Sequence, residues 1–294
     1  TGCLGLEHRH DGKHVPLFIF GDSLFDAENN NYINSSAAAG ANFWPYGETF
    51  FKYPTGRFSD GRLIPDFIGK RRGNIRFCLE IISLVTAKTS LLVELVNNLN
   101  TQLTYFKDVE KQLVHKLGDD EATQLLSKVV FLVNIGTNDY GSLVNYSGSH
   151  GKYVEMVIGN LTVVIKEIYK QGGRNFGVFG LAALGCIPAF RNASGHCKEE
   201  LISLVKLHNE ALRNILHKLE RQIKGFTYSY FDFYSFKEGK SACCESGPYR
   251  GINSYEGKRG IADQYELCAN ANDYVFFYSN HPTKAASHQI AKLI

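Results

Sequence analysis

Val15-Pro16-Leu17-Phe18-Ile19-Phe20-Gly21-Asp22-Ser23 contains an unbroken apolar run that ends at a glycine and gives way to polar residues, which is the strongest indication of the fold. Near-continuous apolar runs are typical of strands that are buried on both faces of a parallel sheet. Three more runs of this kind follow, at residues 129–135, 175–181 and 226–232. The sequence therefore predicts at least four buried strands.

Segments with a helical period separate these strands. Apolar residues recur at helical spacing across 99–117 and 201–219, and a third helix is predicted from Tyr153 to Gln171. A fourth helix-forming run covers residues 284–291. Alternating strands and helices predict a three-layer α/β/α sandwich with a central parallel sheet. Because repeats and linkers are absent from the sequence, we expect a single domain over residues 1–294, with residues 1–14 unstructured or a remnant.

Length and composition are those of a soluble globular protein. The 294 residues are 44% apolar and 21% charged, and the net charge is +3. So small a charge gives no basic field of the kind that nucleic-acid-binding proteins use. We expect no transmembrane helix, because no run of about 18 uncharged apolar residues occurs. The first residues carry no apolar leader, which favours a removed leader or a fragment.

Four Asn-x-Ser/Thr sequons favour a secreted glycoprotein, since chance alone gives about one or two. Chance sequons in a cytosolic protein remain the alternative at this point. The four sequons begin at Asn34, Asn145, Asn160 and Asn192.

The seven cysteines cannot all pair within the chain, because their number is odd. Cys186 and Cys197 flank a short loop that a disulfide can close, and Cys243, Cys244 and Cys268 flank another loop. A zinc site is the alternative, although no Cys-x-x-Cys pair with downstream ligands occurs. We therefore expect disulfides and an oxidising compartment.

Three polar residues stand near the expected carboxyl-terminal rim of the sheet, where such folds bind ligands. Ser23 follows the first strand and Asn138 follows the second. A serine there lies near backbone N–H groups and a positive helix end, which help a serine alkoxide and an oxyanion. His281 is expected on a loop just before the last helix, with Pro282 in the first helical turn. Taken singly, Ser23 also fits an ordinary helix N-cap, Asn138 an ordinary turn or cap, and His281 an ordinary loop residue.

In combination, these motifs resemble the GDSL-motif lipase/esterase family of SGNH hydrolases, and most closely its secreted plant branch. The resemblance covers residues 15–70 and 99–294 and is specific because its motifs occur in the same order. The segments that carry it are Phe20–Ala27, Phe43–Gly47, Pro54–Arg62, Gly136–Tyr140, Leu184–Pro188, Cys243–Tyr249, Tyr274–Phe277 and His281–Thr283.

The resemblance implies a flavodoxin-like fold, an extracellular location and hydrolysis of small esters or lipids without a metal or organic cofactor. It implies that Ser23 is the nucleophile and His281 the general base. The backbone N–H of Ser23 and the side-chain amide of Asn138 would then bind the oxyanion.

Three departures from the family pattern bear on the predicted site and on the cysteines. Tyr278 stands where the family has an aspartate, three residues before the catalytic histidine. Residues 71–98 form an atypical segment without the family's glycine-rich block, which supplies a strand and an oxyanion donor. Tyr255 stands where the family has a cysteine, so that the group at residues 243, 244 and 268 lacks a fourth member.

Two other functions remain open at this stage. The first two departures favour an impaired or inactive relative that binds a lipid or a protein partner with the same cleft. A flavodoxin-like cofactor binder is the third reading, although the sequence has no Gly-x-Gly-x-x-Gly or P-loop pattern.

Overall fold

The structure is a computed structural model that describes residues 17–26, 41–71, 82–83, 99–141, 143, 148–192, 194–234, 239–251 and 265–294. Several predictions from the sequence refer to residues outside these ranges. They concern residues 1–14, the sequons at Asn34 and Asn145, Tyr255, and most of the atypical segment 71–98.

The described residues form a parallel central sheet of five strands in the order β2-β1-β3-β4-β5. This arrangement confirms the predicted α/β sandwich, and the strand order is that of flavodoxin-like folds. Between β1 and β3 the order reverses, which creates the crevice where such sheets bind ligands. The strands are β1 (Leu17–Gly21), β2 (Ile82–Ser83), β3 (Val130–Val133), β4 (Asn175–Phe179) and β5 (Thr227–Phe231).

Both faces of the sheet are covered, which explains the continuous apolar runs. Alternate residues of a strand point to opposite faces. In β1, Phe18 and Phe20 pack into one hydrophobic cluster, whereas Leu17 and Ile19 pack into another. All five residues of β1 are buried.

The helices divide between the two faces. Helices α1 and α7 contribute apolar residues to the cluster of Leu17, whereas α2, α3, α5 and α6 contribute to the cluster of Phe18. The four predicted helices are confirmed with small shifts of their ends. The helices are α1 (Ile64–Arg71), α2 (Leu99–Leu117), α3 (Asp119–Lys128), α4 (Thr137–Gly141), α5 (His150–Lys170), α6 (Glu199–Gln222) and α7 (Lys284–Lys292). No helix among the described residues has the length and apolar character needed to cross a bilayer.

A second sheet of four short strands lies in the carboxyl-terminal part, in the order β7-β6-β8-β9. It was not predicted from the sequence. A cluster of buried residues that includes Tyr46, Phe58 and Phe277 packs around it. Its strands are β6 (Ala242–Glu245), β7 (Glu266–Leu267), β8 (Phe276–Tyr278) and β9 (His281–Pro282).

Two disulfides join described residues, Cys186–Cys197 and Cys243–Cys268. The expectation of disulfides is thereby confirmed, and the first pair is the one that the loop spacing favoured. The remaining candidate, Cys244, is buried and unbonded to any other described cysteine.

The start of α7 differs from its prediction. Thr283 is the N-cap, because its side chain accepts a hydrogen bond from the N–H of Ala286 at 3.1 Å. Pro282 therefore precedes the cap and does not lie in the first helical turn. His281 lies in β9, which pairs with β8, rather than on a free loop.

Candidate active site

Ser23 lies in a tight turn that directly follows β1. The N–H of Phe25 donates to the carbonyl of Asp22 at 3.0 Å, and the N–H of Leu24 donates to Oδ1 of Asp22 at 3.1 Å. The turn is thus closed by its own residues. It holds Ser23, whose side chain is partly buried, at the carboxyl-terminal rim of the sheet.

The carboxyl group of Asp22 joins this turn to the one after β3. It is buried and hydrogen-bonds to Leu24 and to the side chain of Thr137. Burial raises its pKa to about 7, because loss of hydration outweighs these hydrogen bonds. Since Thr137 directly precedes Asn138, the contact brings the two predicted site turns together, as strand order β1-β3 requires.

Asn138 lies on α4, the short helix after β3. Its side-chain Nδ2 is buried and lacks a hydrogen-bond partner among the described residues. Buried amide groups are nearly always hydrogen-bonded, so an orphaned N–H donor at a ligand-binding rim suits an anionic oxygen.

A buried contact that sequence reasoning missed holds α4 in place. The hydroxyl of Tyr140 lies 2.8 Å from Nδ1 of His208, and both side chains are fully buried. Gly136 begins the turn with a φ of 123°, and a Cβ there would lie only 3.1 Å from the His208 ring. This close approach explains why a glycine follows the strand.

His281 meets Ser23 across the site. The His281 Nε2 and Ser23 Oγ atoms are 2.7 Å apart, although 258 residues separate them in the chain. This distance is within hydrogen-bond reach and is what a base acting on a serine hydroxyl needs. The three residues selected from the sequence therefore converge on one rim.

The segment Pro54–Arg62 fixes the position of His281. The ring of Phe58 stacks on the imidazole, with centroids 4.9 Å apart. Next to it, Ser59 donates to the carbonyl of Pro282 at 2.9 Å, and the N–H of Lys284 donates to Asp60 at 2.6 Å. Pro54–Arg62 contributed to the family resemblance, but its contact with His281 could not be predicted, because contacts over more than 200 residues leave no local pattern.

Among the described residues, no comparable contact reaches the second ring nitrogen of His281. Its Nδ1 atom is buried and has no hydrogen-bond partner in the part of the chain that the structure describes. Burial lowers the pKa of His281 to about 3, so the ring is neutral over the physiological range. A neutral imidazole can accept a proton, but nothing charged next to Nδ1 among the described residues stabilises the imidazolium that results.

Tyr278 faces a different buried group. Its hydroxyl hydrogen-bonds with Glu245 and Tyr46, and burial together with the nearby Glu245 raises its pKa. Burial raises the pKa of Tyr46 as well, and its proximity to Tyr278 adds to the shift. The phenol at the family's aspartate position is therefore engaged with Glu245 and Tyr46.

The remaining predicted sites are surface features. Asn160 lies on an exposed face of α5, and Asn192 is exposed, with its Oδ1 accepting the N–H of His196 at 2.9 Å. Across the described ranges, no three His, Cys, Asp or Glu side chains are grouped so that they could hold a metal ion.

Comparison with known proteins identifies the family. Residues 17–294 match the sequence profile of the family described as GDSL-like Lipase/Acylhydrolase. "GDSL esterase/lipase 1" of Arabidopsis thaliana is 43% identical over 95% of this chain and 85% of its own length. "GDSL lipase" of Tanacetum cinerariifolium is 41% identical over 100% of this chain and 85% of its length.

A more distant relative, "Inactive GDSL esterase/lipase-like protein 25" of Arabidopsis thaliana, is 32% identical over 95% of this chain and 70% of its own length. The fold, the order of the motifs and these similarities agree with one another. The chain belongs to the GDSL-like lipase/acylhydrolase family.

Proposed function

We propose that this protein is a carboxylic ester hydrolase in which Ser23 is the nucleophile and His281 the general base. The observation that carries the proposal is the 2.7 Å distance from His281 Nε2 to Ser23 Oγ. It is supported by relatives that are named esterases and lipases. The substrates are small esters or lipids.

The reaction proceeds by acyl transfer. Ser23 Oγ attacks the carbonyl carbon while its proton passes to His281 Nε2, and the carbonyl oxygen becomes an anion. The backbone N–H of Ser23 and Nδ2 of Asn138 hydrogen-bond to that anion. The tetrahedral intermediate then collapses, and the alcohol leaves with the proton from His281. Water then attacks the acyl-enzyme by the same steps, with His281 again as the base, and the carboxylic acid is released.

Turnover is expected to be slow for such an enzyme. In a serine-protease triad, loss of the carboxylate that faces the histidine lowers turnover by about 10⁴-fold. The described part of this chain offers Nδ1 of His281 no hydrogen-bonding partner. The stacked ring of Phe58 and the anchored β9 strand restrict the imidazole, but they provide no negative charge.

The experiment is hydrolysis of p-nitrophenyl acetate by the wild type and by Ser23→Ala. We expect measurable turnover that disappears in Ser23→Ala. Ser203→Ala is the matched control, because Ser203 is an exposed residue of α6 that takes part in none of the site contacts described above. Equal activity in Ser23→Ala and the wild type would contradict the proposal.

We also propose that the protein works outside the cell. Two disulfides and the exposed sequons at Asn160 and Asn192 support an oxidising, glycosylating compartment. Expression through a secretory pathway should give a product whose mass falls on deglycosylation. The Asn160→Gln and Asn192→Gln variants should each lose one glycan, and an unmodified secreted product would contradict glycosylation.

One observation favours a second function, in which the cleft binds a lipid or a protein partner without turnover. It is the buried Nδ1 of His281, which is unpaired within the described residues. Such a protein would show no ester hydrolysis above that of Ser23→Ala. Loss of hydrolysis in Ser23→Ala would instead assign the activity to the proposed nucleophile.

A further inference from the structure

The helix that carries Asn138 is too short to fix the position of that side chain by itself. Helix α4 has five residues, and a helix of that length is not stable without tertiary contacts. On one side of Asn138, the side chain of Thr137 hydrogen-bonds to Asp22. On the other side, the hydroxyl of Tyr140 lies 2.8 Å from Nδ1 of His208. These two contacts therefore determine where the amide of Asn138 lies.

His208 is a fixed point, because the next residue of α6 ties that helix to the sheet. Asn209 Oδ1 accepts a hydrogen bond from the N–H of Leu181 at 2.7 Å, and its Nδ2 donates to the carbonyl of Leu181 at 2.9 Å. Leu181 lies in the loop after β4, and both residues are buried. The position of His208 is thus set by contacts that do not involve α4.

The pair of Tyr140 and His208 is polar, although its surroundings are apolar. Tyr140 belongs to the hydrophobic cluster of Phe18, and Nε2 of His208 is buried without a hydrogen-bond partner among the described residues. A buried polar atom without a partner lowers stability, so two apolar side chains would fill this space at less cost. What the pair adds is a hydrogen bond of defined length and direction between α6 and α4.

This hydrogen bond does not change with pH in the physiological range. Burial lowers the pKa of His208 to about 3, and burial raises the pKa of the Tyr140 phenol above its usual value. The ring is therefore neutral and the phenol keeps its proton. Either tautomer of the ring can bond to the phenol, because a hydroxyl both donates and accepts.

We propose that His208 is a positioning residue, which acts through the hydroxyl of Tyr140 to place Nδ2 of Asn138 at the oxyanion. The proposal rests on the ester hydrolysis proposed above. The oxyanion forms only after attack by Ser23, so a displaced donor weakens the transition state and not the bound ester. Loss of the contact should therefore lower kcat and kcat/KM together and leave KM unchanged.

Three variants change this contact by different amounts. Tyr140→Phe removes only the hydroxyl, and His208→Leu removes the ring nitrogens. His208→Asn keeps a polar atom on Cγ, which is where Nδ1 is attached in histidine. The matched control is Asn175→Ala at the start of β4, on the opposite edge of the sheet from the rim. Asn175 Nδ2 donates to the carbonyls of Ser127 and Val129 at 2.8 and 3.2 Å, so this control also loses hydrogen bonds.

The test is hydrolysis of p-nitrophenyl acetate, with urea unfolding to give the folded fraction of each variant. We expect Tyr140→Phe to lower kcat about tenfold, less than the loss of about 10²- to 10³-fold when an oxyanion donor is deleted. His208→Leu should do the same, and His208→Asn should exceed His208→Leu by about threefold, because it restores one hydrogen bond. Asn175→Ala should lose stability but keep its kcat.

A double-mutant cycle shows whether the contact acts through Asn138. When Asn138→Ala has already removed the amide, adding Tyr140→Phe should lower kcat by less than about twofold. An equal loss from Tyr140→Phe with and without Asn138 would overturn the proposal, because the contact would then act by another route.

Two other results also overturn the positioning role while ester hydrolysis itself stands. They are wild-type kcat in folded Tyr140→Phe and His208→Leu, and a loss in Asn175→Ala as large as theirs. Turnover by the folded wild type no greater than that of Ser23→Ala would overturn the positioning role and the proposed hydrolase together.

Discussion

Replacing Tyr278 with aspartate is expected to raise turnover of p-nitrophenyl acetate by about 10²- to 10⁴-fold. In the β8–β9 hairpin, residue 278 pairs directly with His281. Side chains at paired positions have Cβ atoms roughly 4.5–5.5 Å apart, so a carboxylate at 278 can reach the imidazole. It would supply the hydrogen bond and the charge that Nδ1 lacks among the described residues.

The upper bound of this gain comes from the triad carboxylate, which is worth about 10⁴-fold in turnover. The lower bound allows for the loss of folding stability that the substitution causes. Removing a buried aromatic side chain destabilises a core by about 3–5 kcal/mol. The change also deprives Tyr46 and Glu245 of the phenol to which they hydrogen-bond, at about 1–3 kcal/mol for a group left unpaired.

The assay is kcat together with urea unfolding, so that the folded fraction of each variant is known. Tyr278→Asn is the matched control, because it has nearly the shape of the aspartate variant without its charge. We expect Tyr278→Asp to exceed Tyr278→Asn by at least tenfold. Equal kcat values for the two folded variants would refute the argument that His281 lacks only a charged partner.

Three further outcomes are expected. Asn138→Ala should lower kcat about 10²- to 10³-fold with little change in stability, because it removes one proposed oxyanion donor; an unchanged kcat would contradict that role. Because the pKa of His281 is lowered to about 3, protonation of His281 should not lower kcat/KM between pH 8 and pH 5, a range in which only Asp22 of the turn that holds Ser23 titrates. A base with the ordinary pKa near 6.5 would instead lose activity about 30-fold by pH 5. Finally, Asp66→Asn should destabilise the fold by about 3–5 kcal/mol in urea, because it breaks a buried pair whose Arg57 Nε–Asp66 Oδ2 distance is 3.0 Å. Asp108→Asn, in an exposed pair with Lys111, is its control and should change stability by less than about 1 kcal/mol.

The sequence predicted the structure best where consecutive residues are all buried. The run at Leu17–Phe20 predicted a strand covered on both faces, and the two hydrophobic clusters show why. Ser23 and Asn138 could be placed on one rim because parallel strands end at the same edge of a sheet. The predicted helices likewise followed from apolar stripes long enough to show a period.

The rest of the site depends on contacts between distant segments. Strands β6 to β9 have two to four residues each, too few for a period of alternation to show. The stacking of Phe58 on His281 and the pairing of Tyr140 with His208 join residues 223 and 68 positions apart in the chain. Only the folded chain reveals these contacts, as it reveals that the phenol of Tyr278 is engaged with Glu245.

The central claim is that Ser23 is a nucleophile activated by His281. The most direct measurement is to treat the folded protein with a fluorophosphonate and to map the adduct by mass spectrometry of its peptides. We expect one adduct, on Ser23, which forms more slowly after His281→Gln. A folded protein without an adduct, or one modified at another residue, would contradict it.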